Sequence, residues 1–218
     1  MKKTNKDIKF TEANLSESES LVESSLDAEV HPLQPFLPHG GRILFLGSFP
    51  PPRERWSMEF FYPNWINDFW RIMGLIRFGD KTHFESHEGD KRFDKERIVE
   101  FANTAGLAFY DTATVVRRLR GNASDDFLEI VQPTNVGALL QQMPLCQDVV
   151  TTGGKASGIL HEQLSLAAGV AVAQPKIGEY TIVQAYSRTL RWWRMPSSSR
   201  AYPLKIEKKA EYYQRLFA

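Results

Sequence analysis

Residues 42–52 constrain the fold of this 218-residue chain more than any other segment. Residues 42–47 form a short apolar run, with the length and composition of a fully buried strand. The strand has to end at Gly47, because Ser48 and Phe49 lead into three consecutive prolines, which can neither continue a strand nor lie inside a helix. The sequence therefore predicts a rigid loop at the carboxyl end of a buried strand.

Strand-like and helix-like patterns alternate along the rest of the chain. Further strands are predicted at residues 107–110, 148–152, 181–185 and 190–195, and helices at residues 67–78, 95–103, 135–142, 155–168 and 205–217. This alternation predicts an α/β fold with a mainly parallel sheet. Ligand sites in such sheets lie beyond the carboxyl ends of the strands. Four loops occupy that edge, at residues 47–52, 111–114, 153–155 and 195–199.

Charge is distributed unevenly along the chain. Residues 1–30 are rich in serine and carry four lysines and seven acids, so their net charge is −3 and the remainder of the chain carries +4. This composition predicts a disordered tail over residues 1–30, followed by a single domain over residues 31–218. Residues 181–206 contain four arginines, one lysine and no acid, which concentrates positive charge near the end of the chain.

Several classes of protein are excluded or disfavoured. The single cysteine, Cys146, excludes an internal disulfide, a four-cysteine zinc site or an iron–sulfur cluster built from this chain alone. His83 and His87 lie in a polar segment without the pattern of a zinc protease, so neither a metal nor another cofactor is expected. No apolar run is long enough to span a membrane, and the N-terminus lacks the apolar core of a signal peptide. We therefore expect a cytoplasmic protein, and a monomer.

An aromatic segment follows the proline loop. Tyr62 comes after two phenylalanines and offers a ring for stacking on a nucleobase, an interaction of about 1–3 kcal/mol. Asn67 precedes a predicted helix, and its amide can donate and accept hydrogen bonds, so it can orient a water molecule or bind a base edge. Asparagine is also one of the commonest helix N-cap residues, and that structural explanation of Asn67 remains open.

Two further loops at the same edge have polar or basic sequences. Residues 195–199 read Met-Pro-Ser-Ser-Ser and follow a segment of alternating arginine and tryptophan, a combination suited to nucleic acid but also found in an ordinary polar turn. Residues 151–156 open a helix whose N-terminus can hold a phosphate, although a tight turn explains their glycines equally well and they do not form a P-loop. Asp125 and Asp126 have no partner at a recognisable spacing and suggest a surface pair or a helix cap.

The order of these segments resembles the uracil-DNA glycosylase superfamily. Gly-Ser-Phe-Pro at residues 47–50, followed by Asn-Asp-Phe-Trp at residues 67–70, resembles the mismatch-specific uracil and hypoxanthine-DNA glycosylase branches. The Met-Pro-Ser-Ser-Ser segment resembles the second motif of thymine-DNA glycosylases, and Tyr213 is in keeping with that branch. The resemblance covers residues 31–217. It implies a three-layer α/β/α sandwich around a short, mainly parallel four-stranded sheet.

The resemblance also implies a substrate and roles for individual residues. The substrate would be DNA containing a damaged or mismatched base, such as uracil or hypoxanthine, flipped out of the duplex before its glycosidic bond is cut. Asn67 would be the catalytic residue, and Tyr62 would stack on the flipped base. The base would also contact Gly47, Ser48 and Phe49. The DNA backbone and the gap left by the flipped nucleotide would be bound by Met195, Pro196, Ser197, Ser198, Ser199 and Arg200.

The sequence departs from this family at Phe49. Many relatives carry an aspartate or asparagine just before the first proline, and a phenylalanine can neither activate nor position water. Either Asn67 carries the catalysis, or the protein is a catalytically silent module that binds a nucleic acid or a nucleobase. A small-molecule α/β hydrolase is a further alternative, but the Gly-x-Ser-x-Gly elbow of that class is missing.

Overall fold

The computed structural model describes residues 28–89, 91–120 and 125–217. The strands are β1 (Ala28–Val30), β2 (Ile43–Gly47), β3 (Leu107–Asp111), β4 (Ala113–Arg118), β5 (Leu128–Pro133), β6 (Asp148–Thr152), β7 (Glu179–Ala185) and β8 (Arg188–Met195). The helices are α1 (Phe69–Phe78), α2 (Lys95–Ala105), α3 (Val136–Gln141), α4 (Gly154–Ala168) and α5 (Ile206–Gln214). Within the described residues, no helix combines the length and apolarity that crossing a bilayer requires.

The main sheet has five strands in the order β3-β2-β6-β8-β7. The first four are parallel, and β7 runs antiparallel to β8. The prediction of an α/β fold is confirmed, whereas the expectation of four strands is wrong. The fifth strand forms because a two-residue turn joins β7 to β8. Both turn residues, Tyr186 and Ser187, have positive φ (52° and 60°), which matches the twist of a tight hairpin.

Helices lie on both faces of the main sheet. The rings of Phe45 on β2 and Phe109 on β3 stack at 5.5 Å, and both contact Phe69 of α1. Trp192 on β8 stacks instead on His161 of α4, at 5.8 Å. In the strand register, Trp192 is one residue out of step with Phe45. Because side chains alternate along a strand, α1 and α4 pack against opposite faces.

A smaller antiparallel sheet, in the order β1-β4-β5, accompanies the main one. Its strands β4 and β5 lie in a region where no strand was predicted from local sequence patterns. Ala28–Val30, which composition assigns to the tail, form β1 because β4 offers them a free edge for pairing. The following residue, His31, is anchored to Asp111 of β3. Residues 1–27 of the predicted tail lie outside the described residues.

The aromatic segment before α1 is tied to the core. The indole of Trp70 is fully buried, and its Nε1 donates a hydrogen bond to the carbonyl oxygen of Phe61, at 2.9 Å. The side chain of Arg71, also buried, donates to the carbonyl oxygen of Trp65 at 2.7 Å and lies over its ring. These contacts hold residues 60–67 beside the carboxyl edge of the main sheet.

Candidate active site

A cleft of about 1030 Å³ lies at the carboxyl ends of the parallel strands. All four loops that the sequence places at this edge contribute to its walls. They contribute Gly47 to Pro51, Asp111, Gly153 to Lys155, and Ser197 to Ser199. The aromatic segment forms a further wall through residues 60–64, 66 and 67. A cleft of this volume is large enough for a small organic ligand.

Ser48 and Phe49, in the loop after β2, have different surroundings. The Ser48 hydroxyl donates a hydrogen bond to Asp125 Oδ1, at 2.5 Å. The ring of Phe49 packs against an apolar cluster of the smaller sheet and meets the His31 ring edge-on, with centroids 5.2 Å apart. That cluster consists of Ala113, Val116 and Leu128. Phe49 therefore contributes apolar surface and no polar group to the cleft.

Asp111, the last residue of β3, is held in one orientation. Its Oδ2 lies 2.9 Å from Nε2 of His31, whose side chain is only 1% exposed. The Thr134 hydroxyl donates to the main-chain oxygen of Asp111, at 2.6 Å. The second carboxylate oxygen, Oδ1, occupies the space that a Cβ on Gly47 would need. This close approach explains why glycine ends β2.

Replacing Gly47 with alanine should lower the free energy of unfolding by roughly 1–2 kcal/mol. The added methyl group has to displace the Asp111 carboxylate or the end of β2, and overpacking of this kind is destabilising. Gly158 in α4 is a matched control, because no heavy atom lies within 4 Å of a Cβ added there. Alanine at Gly158 should be neutral or slightly stabilising. Denaturant midpoints measure both effects. If Gly47→Ala and the native protein unfold at the same midpoint, the loop after β2 accommodates the methyl group without loss of stability, and the prediction is wrong.

Tyr62 lines the cleft in a strained backbone conformation. Its φ is 52°, an unusual value for a residue with a side chain. One face of its ring stacks on Phe69 at 3.8 Å, and its hydroxyl is 3.0 Å from Thr152 Oγ1. Burial raises the pKa of the phenol above its ordinary value, so the hydroxyl stays protonated at neutral pH. Strain of this kind is often retained at ligand sites.

Asn67 lies at the start of α1 and also lines the cleft. Its Oδ1 accepts a hydrogen bond from the backbone N–H of Phe69, the first residue of α1, at 2.9 Å. The N-cap residue of α1 is Asp68, whose side chain makes no capping hydrogen bond, so the capping explanation of Asn67 is wrong by one position. The Nδ2 group remains, and it can only donate hydrogen bonds.

The serine loop, residues 197–199, is anchored from below by buried polar groups. The backbone N–H of Asp68 donates to the Ser198 carbonyl oxygen at 2.9 Å. Lys209, which is 0% exposed, donates from Nζ to the Ser199 carbonyl oxygen at 2.7 Å. The Tyr213 hydroxyl donates to the carbonyl oxygen of Pro196 at 2.8 Å. These contacts use backbone carbonyls and leave the side chains of Ser197 and Ser199 half-buried at the cleft.

Part of the positive charge near the end of the chain is used within the protein. The Arg200 guanidinium contacts Asp68 at 2.8 Å and lines a second, smaller pocket beside the cleft. Arg191 pairs with Asp148 at 2.6 Å, at the opposite end of the sheet strands. Lys155 is a further basic residue, outside that region, at the start of α4. It lines the cleft, and its Nζ donates to the Leu128 carbonyl oxygen at 3.0 Å.

Asp125 lines the cleft, although the sequence suggested only a surface pair or a helix cap for it. It belongs to a 3-10 turn before β5. It accepts a hydrogen bond from Ser48, which lies 77 residues earlier in the sequence. Burial raises the pKa of its carboxyl above the ordinary value, and the charges of Asp111 and Asp126 raise it further. The hydrogen bond from Ser48 and the charge of Lys155 act in the opposite direction. Adjacent acids carry no spacing signal, so only the position of Asp125 beside Ser48 in the structure identifies this residue.

The structure brings most of the predicted site residues together. Eight of them line the cleft: Gly47, Ser48, Phe49, Tyr62, Asn67, Ser197, Ser198 and Ser199. Three do not: Met195, Pro196 and Arg200. Met195 and Pro196 are buried beneath the serine loop, and Arg200 is exposed on the side of the second pocket.

No protein-family model and no curated protein matches this sequence. Among solved structures, the chain is similar to the solution NMR structure of a protein from Methanosarcina acetivorans, described as a putative uracil DNA glycosylase. The TM-score is 0.53 and the sequences are 20% identical, over 84% of this chain and 95% of the Methanosarcina chain. The two proteins therefore share a fold.

Proposed function

We propose that this protein is a DNA glycosylase of the uracil-DNA glycosylase superfamily. It hydrolyses the N-glycosidic bond of a flipped, damaged or mismatched base and leaves an abasic site. One observation carries the proposal: Tyr62, Asn67 and the serine loop line a single cleft at the carboxyl edge of the sheet. The fold shared with the Methanosarcina protein supports it. The reaction requires no metal or other cofactor, and we expect the protein to act as a monomer in the cytoplasm.

The cleft suits a base that has left the duplex. A base inside a duplex cannot be reached, so a glycosylase has to extrude it into a pocket. Phe69 stacks on one side of the Tyr62 ring and fixes its position. The part of the ring that lines the cleft is left for contact with an incoming base. Ser197 and Ser199 would hydrogen-bond the phosphates beside it. Uracil, hypoxanthine or a related base would fit this arrangement.

The proposed chemistry assigns separate roles to the backbone N–H groups of the cleft and to Asn67. As the glycosidic bond stretches, the sugar gains oxocarbenium character and a water molecule adds to it. Backbone N–H groups of residues 47–49 stabilise the negative charge of the departing base. Asn67 contributes through Nδ2, which donates to the base or to the oxygen of the water. The motifs place no lysine nucleophile, so we propose a monofunctional enzyme.

A panel of labelled duplexes tests the proposed function. The duplexes carry uracil, hypoxanthine or xanthine, or a G:T or G:U pair, and an unmodified duplex is the control. Incubation with the protein followed by alkali should cleave at least one modified strand and leave the control intact. Cleavage should depend on alkali, because a monofunctional enzyme leaves the sugar in the strand. Binding without cleavage of any duplex would contradict the proposal.

Replacing Asn67 with alanine should reduce excision by about 2–10-fold, the value of one neutral hydrogen bond. The variant also loses the hydrogen bond to the Phe69 N–H at the start of α1, so loss of stability has to be separated from loss of function. Asn67→Asp is the matched variant, because it keeps an oxygen for the Phe69 N–H and removes the Nδ2 donor. It should unfold at a denaturant midpoint close to that of the native protein while excising more slowly. Full excision by Asn67→Ala on every substrate would contradict the role of this residue.

A second candidate function is supported by Phe49. Its side chain brings no polar group to the position where many relatives carry an acid or an amide, and the Asn67 carbonyl oxygen is occupied by the hydrogen bond from the Phe69 N–H. A catalytically silent module that binds a nucleic acid or a nucleobase would have these features. The duplex panel distinguishes the two candidates, because only the enzyme leaves alkali-labile sites.

A further inference from the structure

We infer that Asp125 is a second catalytic residue of the cleft, whose carboxylate binds the attacking water and accepts its proton. The inference rests on the proposed glycosylase function and names the general base that this function requires. General base catalysis needs a group that can take up a proton within hydrogen-bond reach of the water. Neither Phe49 nor an amide such as Asn67 can act as that base at neutral pH.

The two oxygens of the Asp125 carboxylate have different surroundings. Oδ1 accepts the Ser48 hydroxyl hydrogen bond at 2.5 Å, which fixes the carboxylate beside the loop after β2. Oδ2 lies 4.0 Å from the position that a Cβ on Gly153 would occupy, and Ser197 approaches the same position at 3.7 Å. Because Gly153 has no side chain, this space stays open to the cleft. Within the described residues, no hydrogen bond to Oδ2 is present, so it is available to a water molecule.

Asp111 is the other carboxylate at this edge, and it is less suited to the task. Its Oδ2 is paired with the buried imidazole of His31, and its Oδ1 is packed against Gly47. Oδ2 is therefore already used by His31, and Oδ1 lies close against the backbone of Gly47. The negative charge of Asp111 still acts on Asp125 and disfavours a second charge there.

Charged and polar groups from each neighbouring element face Asp125. Ser48 lies in the loop after β2, Lys155 opens α4, Asp111 ends β3, and Asp126 is the next residue in the chain. Burial and the charges of Asp111 and Asp126 raise the pKa of Asp125 above that of an ordinary aspartate, although the Ser48 hydrogen bond and the charge of Lys155 act in the opposite direction. A carboxylate with a raised pKa is a stronger base than an exposed one, and it is still ionised above that pKa.

The proposed step is balanced in atoms and charge. The water oxygen forms a bond to C1′ of the sugar as the bond between C1′ and the base nitrogen breaks. The electron pair of the broken bond leaves with the base, which departs as an anion. The proton of the water passes to Asp125 Oδ2, and solvent later removes it and protonates the base. No oxidant, reductant or further reactant is needed.

Replacing Asp125 with asparagine should lower the single-turnover excision rate by about 10²–10⁴-fold, the usual contribution of a general base. The amide has the same shape and can still accept the Ser48 hydrogen bond. Duplex affinity, measured by fluorescence anisotropy, and the denaturant midpoint should therefore stay close to native values. Glu129→Gln is the matched control: Glu129 is an exposed acid on β5, paired with Arg117, and its loss should not change the rate.

The pH dependence separates catalysis from a structural role. A general base works only when ionised, so the native rate should fall as the pH drops through the pKa of Asp125. Ser48→Ala removes a hydrogen bond that lowers this pKa, and should move the acidic limb of the profile to higher pH. Asp125→Asn should abolish that limb. An unchanged rate and profile in Asp125→Asn would overturn the inference and leave the glycosylase function intact, whereas a native protein that excises no base would overturn both.

Discussion

Replacing Lys209 with alanine should lower the free energy of unfolding by about 3–5 kcal/mol, the usual cost of breaking a buried ionic network. Its ammonium group is inaccessible to solvent, donates to the carbonyl oxygens of Ser198 and Ser199, and lies 3.5 Å from Asp68 Oδ2. Removing it leaves two carbonyl oxygens and a carboxylate without this donor. Because those carbonyls belong to the serine loop, duplex affinity should fall as well.

Lys208 supplies the matched control for this experiment. It is adjacent in sequence, exposed, and paired with Glu211 one turn further along α5. Lys208→Ala should leave the denaturant midpoint and duplex affinity unchanged. Lys209→Met, which keeps most of the apolar stem, separates lost packing from the lost charge. If Lys209→Ala and Lys208→Ala unfold at the same midpoint, the buried ammonium group does not hold the serine loop.

Replacing Tyr62 with alanine should weaken binding of a duplex with an excisable base by about 5–150-fold, which corresponds to the 1–3 kcal/mol of one base–aromatic stack. Binding of an unmodified duplex should change little, because a base that stays in the helix does not reach the cleft. Affinity for the modified duplex should fall because the Tyr62 ring lies in the cleft wall, where Phe69 and Thr152 hold it. Fluorescence anisotropy on the two duplexes measures the difference.

Tyr62→Phe separates the ring from its hydroxyl. This variant keeps the stack on Phe69 and loses only the hydrogen bond with Thr152, so it should bind the modified duplex nearly as well as the native protein. Denaturant midpoints of both variants have to accompany the binding data, because alanine also removes packing from the core. Equal losses of affinity on modified and unmodified duplexes in Tyr62→Ala would contradict base stacking.

The overall architecture follows from local sequence patterns. The buried strand at residues 43–47 is encoded by consecutive apolar residues, and its end by glycine and proline, whose backbone restrictions act within a few residues. The same holds for Gly79 and Gly106, which end α1 and α2 in the left-handed conformation. Because parallel strands align their carboxyl ends, the position of the cleft could also be predicted.

Local patterns did not predict the smaller sheet, and they did not place the fifth strand in the main sheet. The smaller sheet depends on pairing of β1 with β4 across more than 80 residues, and no local signal reports such a partner. The fifth strand was visible as a strand-like segment at residues 181–185. Its place in the main sheet depends on the hairpin turn at Tyr186 and Ser187, two residues that rarely adopt positive φ.

By itself, the sequence determined the α/β class, the loops that surround the cleft, and the presence of Tyr62 and Asn67 close to it. Those features depend on interactions between near neighbours in the chain. Only the tertiary structure decided how each polar group is used. It paired Asn67 Oδ1 with a helix N–H, buried Lys209 under the serine loop, and brought Asp125 to Ser48. Hydrogen bonds of this kind join residues far apart in sequence, and their partners are fixed by packing of the whole chain.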